Sequence, residues 1–192
     1  MKSDLLFQDL YNHSNIQVIK KTVPAIKSEF EKHFYLFKDK LFFEVMENCG
    51  GIVIDNWIRL YGCGELNVVK KNLLFNRSGL EIIIGEDVLG GMFAIKDGLI
   101  YYFAPDILEW ECLNVYYANF INWLINAPER VNSFYAPFRW NNWKEDCSKI
   151  ELDQGFSFYP LLTSNYNIEE RSKKVIKIDE ILKFNLELKN NL

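Results

Sequence analysis

Glu86, Asp87, Asp106, Glu109 and Glu111 gather in one short part of the chain. On a β-strand, Glu109 and Glu111 point to one face and Trp110 to the other, because side chains alternate along a strand. Two carboxylates on one face can share acid–base work, hold a cation or meet a basic partner. They can equally be a solvated sheet face. In that case Asp106, after Pro105, serves a turn, and Asp87 bonds its own backbone.

Other chemistries are poorly provided for. His13 and His33 are the only histidines, both in the N-terminal part and neither near another ligand at a useful spacing. Cys49, Cys63, Cys112 and Cys147 form no C-x-x-C pair. A structural zinc site wants four Cys or His ligands, usually paired in sequence. No metal and no cofactor are therefore expected, and the thiols are expected to be free in a reducing cytoplasm. A serine or cysteine nucleophile needs a nearby base, normally His, and there is no G-x-S-x-G elbow. The glycines at Gly50-Gly51, Gly62-Cys63-Gly64 and Gly90-Gly91 match neither a P-loop nor a full dinucleotide fingerprint. They are read as turns or close backbone contacts.

The remaining candidates are aromatic and basic. Trp57, Arg59, Tyr101 or Tyr102, Trp110, Arg139, Trp140 and Trp143 are of the types that dominate binding hot spots. Core packing is the competing reading. Trp140 and Trp143 stand three apart, on one helical face, a spacing that suits docking on the domain itself.

These residues need a scaffold, and the bulk numbers bound it. The chain has 192 residues, 49% of them hydrophobic, including fifteen Phe, ten Tyr and five Trp. That suits one domain with a real core and no need of staples. Net charge is −4, and the basic pairs Lys20-Lys21, Lys70-Lys71 and Lys173-Lys174 are scattered. A nucleic-acid binder needs a basic stripe, so nucleic acid is not an expected partner. Met1 to Asn12 lacks the apolar run of a secretory signal. No stretch approaches the ~20 apolar residues of a membrane span. The expected location is the cytoplasm.

Periodicity supplies the elements. A short helix is expected over Ser3 to Tyr11 and an edge strand over Ile16 to Val23. From Pro24, the residues Ile26, Phe30, Phe34, Phe37, Leu41 and Val45 recur at helical steps. Asp39 can cap a fresh start, and Asn48-Cys49-Gly50-Gly51 is a stop. Short strands follow at Ile52–Ile54, Trp57–Tyr61 and Leu80–Ile84, with an irregular stretch from Glu65 to Ser78. Gly91–Ile95 and Leu99–Phe103 flank Lys96-Asp97-Gly98, a hairpin signal. Leu108–Leu113 completes a three-strand meander, about 91–113, with the doubly apolar Leu99–Phe103 as its central strand. Helices are expected over Val115–Asn126 capped by Asn114, from Pro128 toward Tyr135, within Trp140–Ile150, and over Ile178–Leu188. Phe156–Leu162 is a further apolar run. The class is α+β with a largely antiparallel sheet built on the central meander and packed by helices. It forms one domain over 1–192, with an N-terminal helical part (about 1–48) and a C-terminal helical tail (about 178–189).

The stretches Asp87-Val88-Leu89-Gly90-Gly91-Met92-Phe93-Ala94-Ile95, Ile100-Tyr101-Tyr102-Phe103-Ala104-Pro105-Asp106 and Leu108-Glu109-Trp110-Glu111 resemble the bacterial Domain of Unknown Function family 2625. Gly50-Gly51-Ile52, Trp57-Ile58-Arg59-Leu60 and Gly62-Cys63-Gly64 resemble its upstream block, with Cys63 where a serine is expected. Phe134-Tyr135, Arg139-Trp140, Trp143, Asp153-Gln154-Gly155 and Tyr159-Pro160 line up in order behind them. The likeness runs from about Gly50 to Thr163. At fold level the order of strands and aromatic-bearing helices is similar to the SUKH superfamily. That likeness implies an immunity-type role, binding a toxin domain.

The reading is a non-enzymatic binding module with a protein partner of unknown identity, acting as a monomer or homodimer. Its candidate surface comprises Trp57, Arg59, Asp87, Asp106, Glu109, Trp110, Glu111, Arg139 and Trp140. The alternative, a small-ligand binder or an unassigned enzyme, requires a pocket joining Asp106, Glu109 or Glu111 to Arg59 or Arg139. A structural role in a homo-oligomer requires an apolar patch matched to itself by two-fold symmetry.

Overall fold

A computed structural model describes residues 3–21, 30–32, 34, 39–76 and 82–191. Seven strands form one antiparallel sheet whose spatial order is the order of the chain: β1 (Ile16–Ile19), β2 (Gly51–Ile54), β3 (Ile58–Tyr61), β4 (Ile82–Asp87), β5 (Met92–Lys96), β6 (Leu99–Ala104) and β7 (Glu109–Tyr116). Helices α1 (Ser3–Asn12), α2 (Lys40–Asn48) and α3 (Val68–Phe75) interrupt the first half. Helices α4 (Tyr117–Asn126), α5 (Pro128–Tyr135) and α6 (Trp143–Cys147) follow β7. A separate hairpin, β8 (Gln154–Tyr159) with β9 (Ser172–Lys177), leads into α7 (Ile178–Asn190). The class is α+β with an antiparallel sheet, as the grouped strand and helix signals indicate.

The register fixes which residues share a face. Gln17, Val53, Arg59, Glu86, Met92, Phe103 and Trp110 are successive cross-strand partners, one row spanning all seven strands. Lys71 of α3 bonds Glu86, and Lys189 of α7 lies over the Phe103 ring, so α3 and α7 cover this face. On the other face Phe93 and Tyr102 pack against Phe120 of α4 and Phe134 of α5. Covered on both sides, β4 to β6 are almost wholly buried and mostly apolar, Glu86, Asp87 and the exposed Lys96 being the charged exceptions. The buried apolar residues form one cluster from Leu6 to Leu182. Burying a side chain the size of Phe93 or Phe103 stabilises by about 1.5–3 kcal/mol.

Local signals explain most boundaries. Asp39 caps α2, its carboxylate accepting from the Phe42 amide at 2.8 Å. Asp97 (φ 51°) and Gly98 (φ 75°) make the two-residue turn between β5 and β6. Both are left-handed, as a type I′ hairpin requires. Pro128 opens α5, where its missing N–H costs nothing.

Four expectations need correction. The meander Met92–Tyr116 is not central: β5 and β6 are interior strands, but β7 is the last strand of the sheet. Asn114 does not cap a helix. It sits inside β7 at φ 55°, where the pairing with β6 slips, and α4 begins at Tyr117. Leu108 is not a strand residue but a left-handed turn residue (φ 58°). The stretch read as irregular contains α3, capped by the Asn67 side chain on the Lys70 amide at 2.9 Å. The helical stripe from Pro24 to Phe37 falls mainly outside the described residues, as do Leu80 and the end of the predicted edge strand.

Candidate functional site

Glu86 and Asp87 are consecutive, so on β4 they point to opposite faces of the sheet. Both are fully buried. Glu86 accepts a hydrogen bond from the Tyr61 hydroxyl at 2.6 Å and another from the Lys71 ammonium at 2.8 Å. Lys71 also pairs with Asp179 at the start of α7, tying that helix to α3 across the carboxylate. Burial and the neighbouring Glu86 charge push the Tyr61 hydroxyl well above its usual range, so it stays a donor.

On the other face, Asp87 is saturated. Its Oδ1 accepts from the Leu89 and Gly91 amides, each at 2.9 Å. Its Oδ2 accepts from the Tyr102 hydroxyl at 2.6 Å and the Tyr135 hydroxyl at 3.0 Å. Burial pushes the carboxyl above the ordinary value, against the pull of those donors. A side chain at position 91 has no room, since a Cβ there would lie 2.3 Å from Asp87 Oδ2. The carboxylate pins the turn between β4 and β5 to α5. It bonds its own backbone as the sequence suggests, and has no access for a substrate.

A third group lies where the β2–β3 turn meets the stretch from α5 to α6. The left-handed Asp55 and Asn56 (both φ 53°) deliver Trp57 into the interior. Its ring packs on Tyr135 (5.4 Å between centroids), Trp140 (5.7 Å) and Trp143 (5.2 Å). The Arg139 guanidinium lies over Trp143 at 3.8 Å and faces Trp57 at 5.1 Å. Beneath, Arg59 is 2% exposed and bonds the Glu151 carbonyl at 3.3 Å. Burial lowers the proton affinity of both guanidinium groups. It pushes the nearby Cys147 thiol up to about 12, leaving it neutral.

The fourth feature is the free side of β7. Glu109, Glu111, Asn114 and Tyr116 are exposed along it. Trp110 turns the other way, onto Phe103 at 5.4 Å. Beside the strand, a cleft of about 430 Å³ is lined by Leu113, Val115, Trp123 and Phe134, with Asn119, Asn122 and Arg130 among its polar residues.

The nine candidate surface residues therefore separate into two sets. Trp57, Arg59, Arg139 and Trp140 come together, and Asp87 joins them through Tyr135. Of these, Trp57, Arg59, Asp87 and Trp140 are interior and belong to no exterior face. Asp106, Glu109, Trp110 and Glu111 lie on the β6–β7 turn and on β7, with Glu109 and Glu111 exposed, Asp106 and Trp110 half-buried. Arg59 is four strands from β7, about 19 Å at ordinary strand spacing. Among the described residues, a pocket that joins Glu109 or Glu111 to Arg59 is thus not formed. Among the described residues no three His, Cys, Asp or Glu stand together as a metal site. None of their helices is long and apolar enough to cross a membrane. Sequence reasoning missed Lys71, Asp179 and the cleft residues Trp123 and Phe134. The Lys71–Glu86 and Lys71–Asp179 pairs span 15 and 108 positions, and no local spacing signals them.

The chain belongs to the family described as protein of unknown function DUF2625, whose model matches residues 39–181. That range runs from the cap of α2 into α7 and takes in all four features. The chain is 33% identical over 153 residues to the putative uncharacterized protein YbfG of Escherichia coli, covering 73% of this chain and 69% of that one. It is 30% identical over 165 residues to an uncharacterized protein of Haemophilus influenzae, covering 76% and 72% respectively.

Proposed function

We propose that the protein is a non-enzymatic binding module that takes an extended, basic segment of a protein partner along the free side of β7. One observation carries this reading: an eight-residue strand ends the sheet, with Glu109 and Glu111 exposed on it and an apolar cleft alongside. An edge strand offers unpaired backbone groups to a further strand. The pairing supplies affinity, and alternate side chains supply selection. Here every second side chain of the added strand meets Glu109 and Glu111 or drops toward Trp123 and Phe134. Asp87 favours binding over catalysis, since both of its oxygens are already held by donors of the protein itself.

The likeness to SUKH proteins makes a toxin domain a fitting partner. Four free thiols accord with the reducing cytoplasm. The test is selection of displayed nine-residue peptides on the purified protein. Recovered sequences are expected to carry Lys or Arg at alternate positions and to lose binding to a Glu109→Lys, Glu111→Lys double variant. Peptides without that pattern, or binding unchanged in the folded double variant, would overturn the reading.

A further inference from the structure

The group around Trp57 holds an excess of buried hydrogen-bond donors. Trp57 Nε1, Arg59 Nε and Nη1, and Arg139 Nε and Nη2 are all buried and have no acceptor among the described residues. Arg59 makes one bond, to the Glu151 carbonyl, and Arg139 one, to Asn132 Oδ1. A buried donor without an acceptor is costly, and a buried cation without a counter-charge more so.

The neighbouring acidic groups do not meet this need. Glu86 stands opposite Arg59 on β4 and its charge acts on the guanidinium, but its Oε2 is engaged by Tyr61 and Lys71, its Oε1 is buried without a partner, and it makes no ion pair with Arg59. Asp55 accepts from Asn15; its charge acts on Arg139, but the two are in neither hydrogen-bond nor ion-pair contact. Cys147 lies in the field of both guanidinium groups, yet burial keeps its thiol neutral, so it is no counter-ion. Both guanidinium groups lie within the field of Cys147, and Arg139 faces the Trp57 indole, which Tyr135, Trp140 and Trp143 wall. Arg139 and Trp143 are half-buried, so the group reaches the surface on their side.

We infer that Arg59, Arg139 and the Trp57 indole N–H form a site for one oxyanion group, a phosphate or a carboxylate. Arginine suits it because the planar guanidinium presents paired donors to two oxygens of one group. Trp57 adds a neutral donor, and the aromatic walls exclude water and strengthen the attraction. This site is independent of the β7 surface and goes beyond the binding reading above.

Tryptophan fluorescence reports on it, because three of the five tryptophans, Trp57, Trp140 and Trp143, lie in the group or its walls. The full-length protein is titrated with sodium phosphate, with sodium acetate, and with sodium chloride at matched ionic strength. A saturable change with phosphate or acetate, absent with chloride, is expected, accompanied by a rise in Tm. Response to phosphate alone assigns a phosphate site, and response to acetate alone a carboxylate site. Arg139→Gln, at a half-exposed position that folding tolerates better than Arg59, is expected to weaken the response at least tenfold. No saturable response to either anion, or a folded Arg139→Gln variant that binds like wild type, overturns the inference.

Discussion

Tyr135→Phe removes one oxygen atom and leaves the ring in place. The ring contacts with Trp57 (5.4 Å) and Phe134 (4.8 Å) are kept, so the change removes only what the hydroxyl does, its 3.0 Å bond to Asp87 and its interaction with the Tyr102 hydroxyl. A hydrogen bond to a charged group contributes about 1.5–3 kcal/mol. For a chain of this length, 1 kcal/mol corresponds to about 2–4 °C in Tm, so a fall of about 3–12 °C is expected. Urea unfolding should show a lower midpoint at unchanged slope. Tyr102→Phe removes the 2.6 Å bond to the same Oδ2. The two substitutions are therefore expected to couple by about 0.5–3 kcal/mol in a double-mutant cycle. The pH dependence has a definite sign. Burial raises the Asp87 carboxyl above 3.8 in the folded chain, so the folded state holds its proton more tightly than the unfolded state. Its contribution to stability is then greatest in acid and declines as pH rises from 3.8 through the folded value. Tyr135 opposes that decline by bonding the charged form, so the cost of Tyr135→Phe is largest at neutral pH and shrinks toward pH 4. A cost below about 0.5 kcal/mol at pH 7, or one independent of pH, would refute the assignment of Asp87 as a charge held by these two tyrosines.

Gly91→Ala drives a Cβ to 2.3 Å from Asp87 Oδ2 and 2.4 Å from the Tyr102 hydroxyl. A loss of about 1–3 kcal/mol, or more, is expected in the same urea assay. Brief alkylation of the native protein at pH 8, read by mass spectrometry, should label Cys112 first. Cys49, Cys63 and Cys147 are buried, with thiols pushed up to about 11 for Cys49 and about 12 for Cys147, and should react only on unfolding.

Much of the fold was legible because the signals were local. The Asp97-Gly98 turn, the Asp39 cap and the stop at Asn48 need only a few residues to work, and each stands where its type demands. Asn114 shows the limit: the same side chain caps helices and tolerates left-handed backbone, and only the slipped pairing of β6 with β7 decides between them. The strand Ser172–Lys177, with its four exposed positions in a row, carries neither alternation nor a continuous apolar run, so nothing marks it before β8 is beside it. The candidate site divided along the same line. Glu109 and Glu111 could be placed on one exposed face from strand periodicity alone. Trp57, Arg59, Arg139 and Trp140 could be named by type, but their burial depends on contacts across some 80 positions of chain.

The order of the seven strands has a kinetic consequence. Each strand pairs with the next one along the chain, so most of the sheet can assemble by short loop closures, the regime in which folding is fast. The segments after α6 behave differently. The Phe156 amide reaches the Val88 carbonyl and the Asn185 side chain reaches Gly90, 68 and 95 positions away in the chain. Those closures demand a β4–β5 turn already in place to receive them. Docking of the β8–β9 hairpin and α7 is thus expected to follow formation of that turn, and the Lys71–Asp179 pair to form with it.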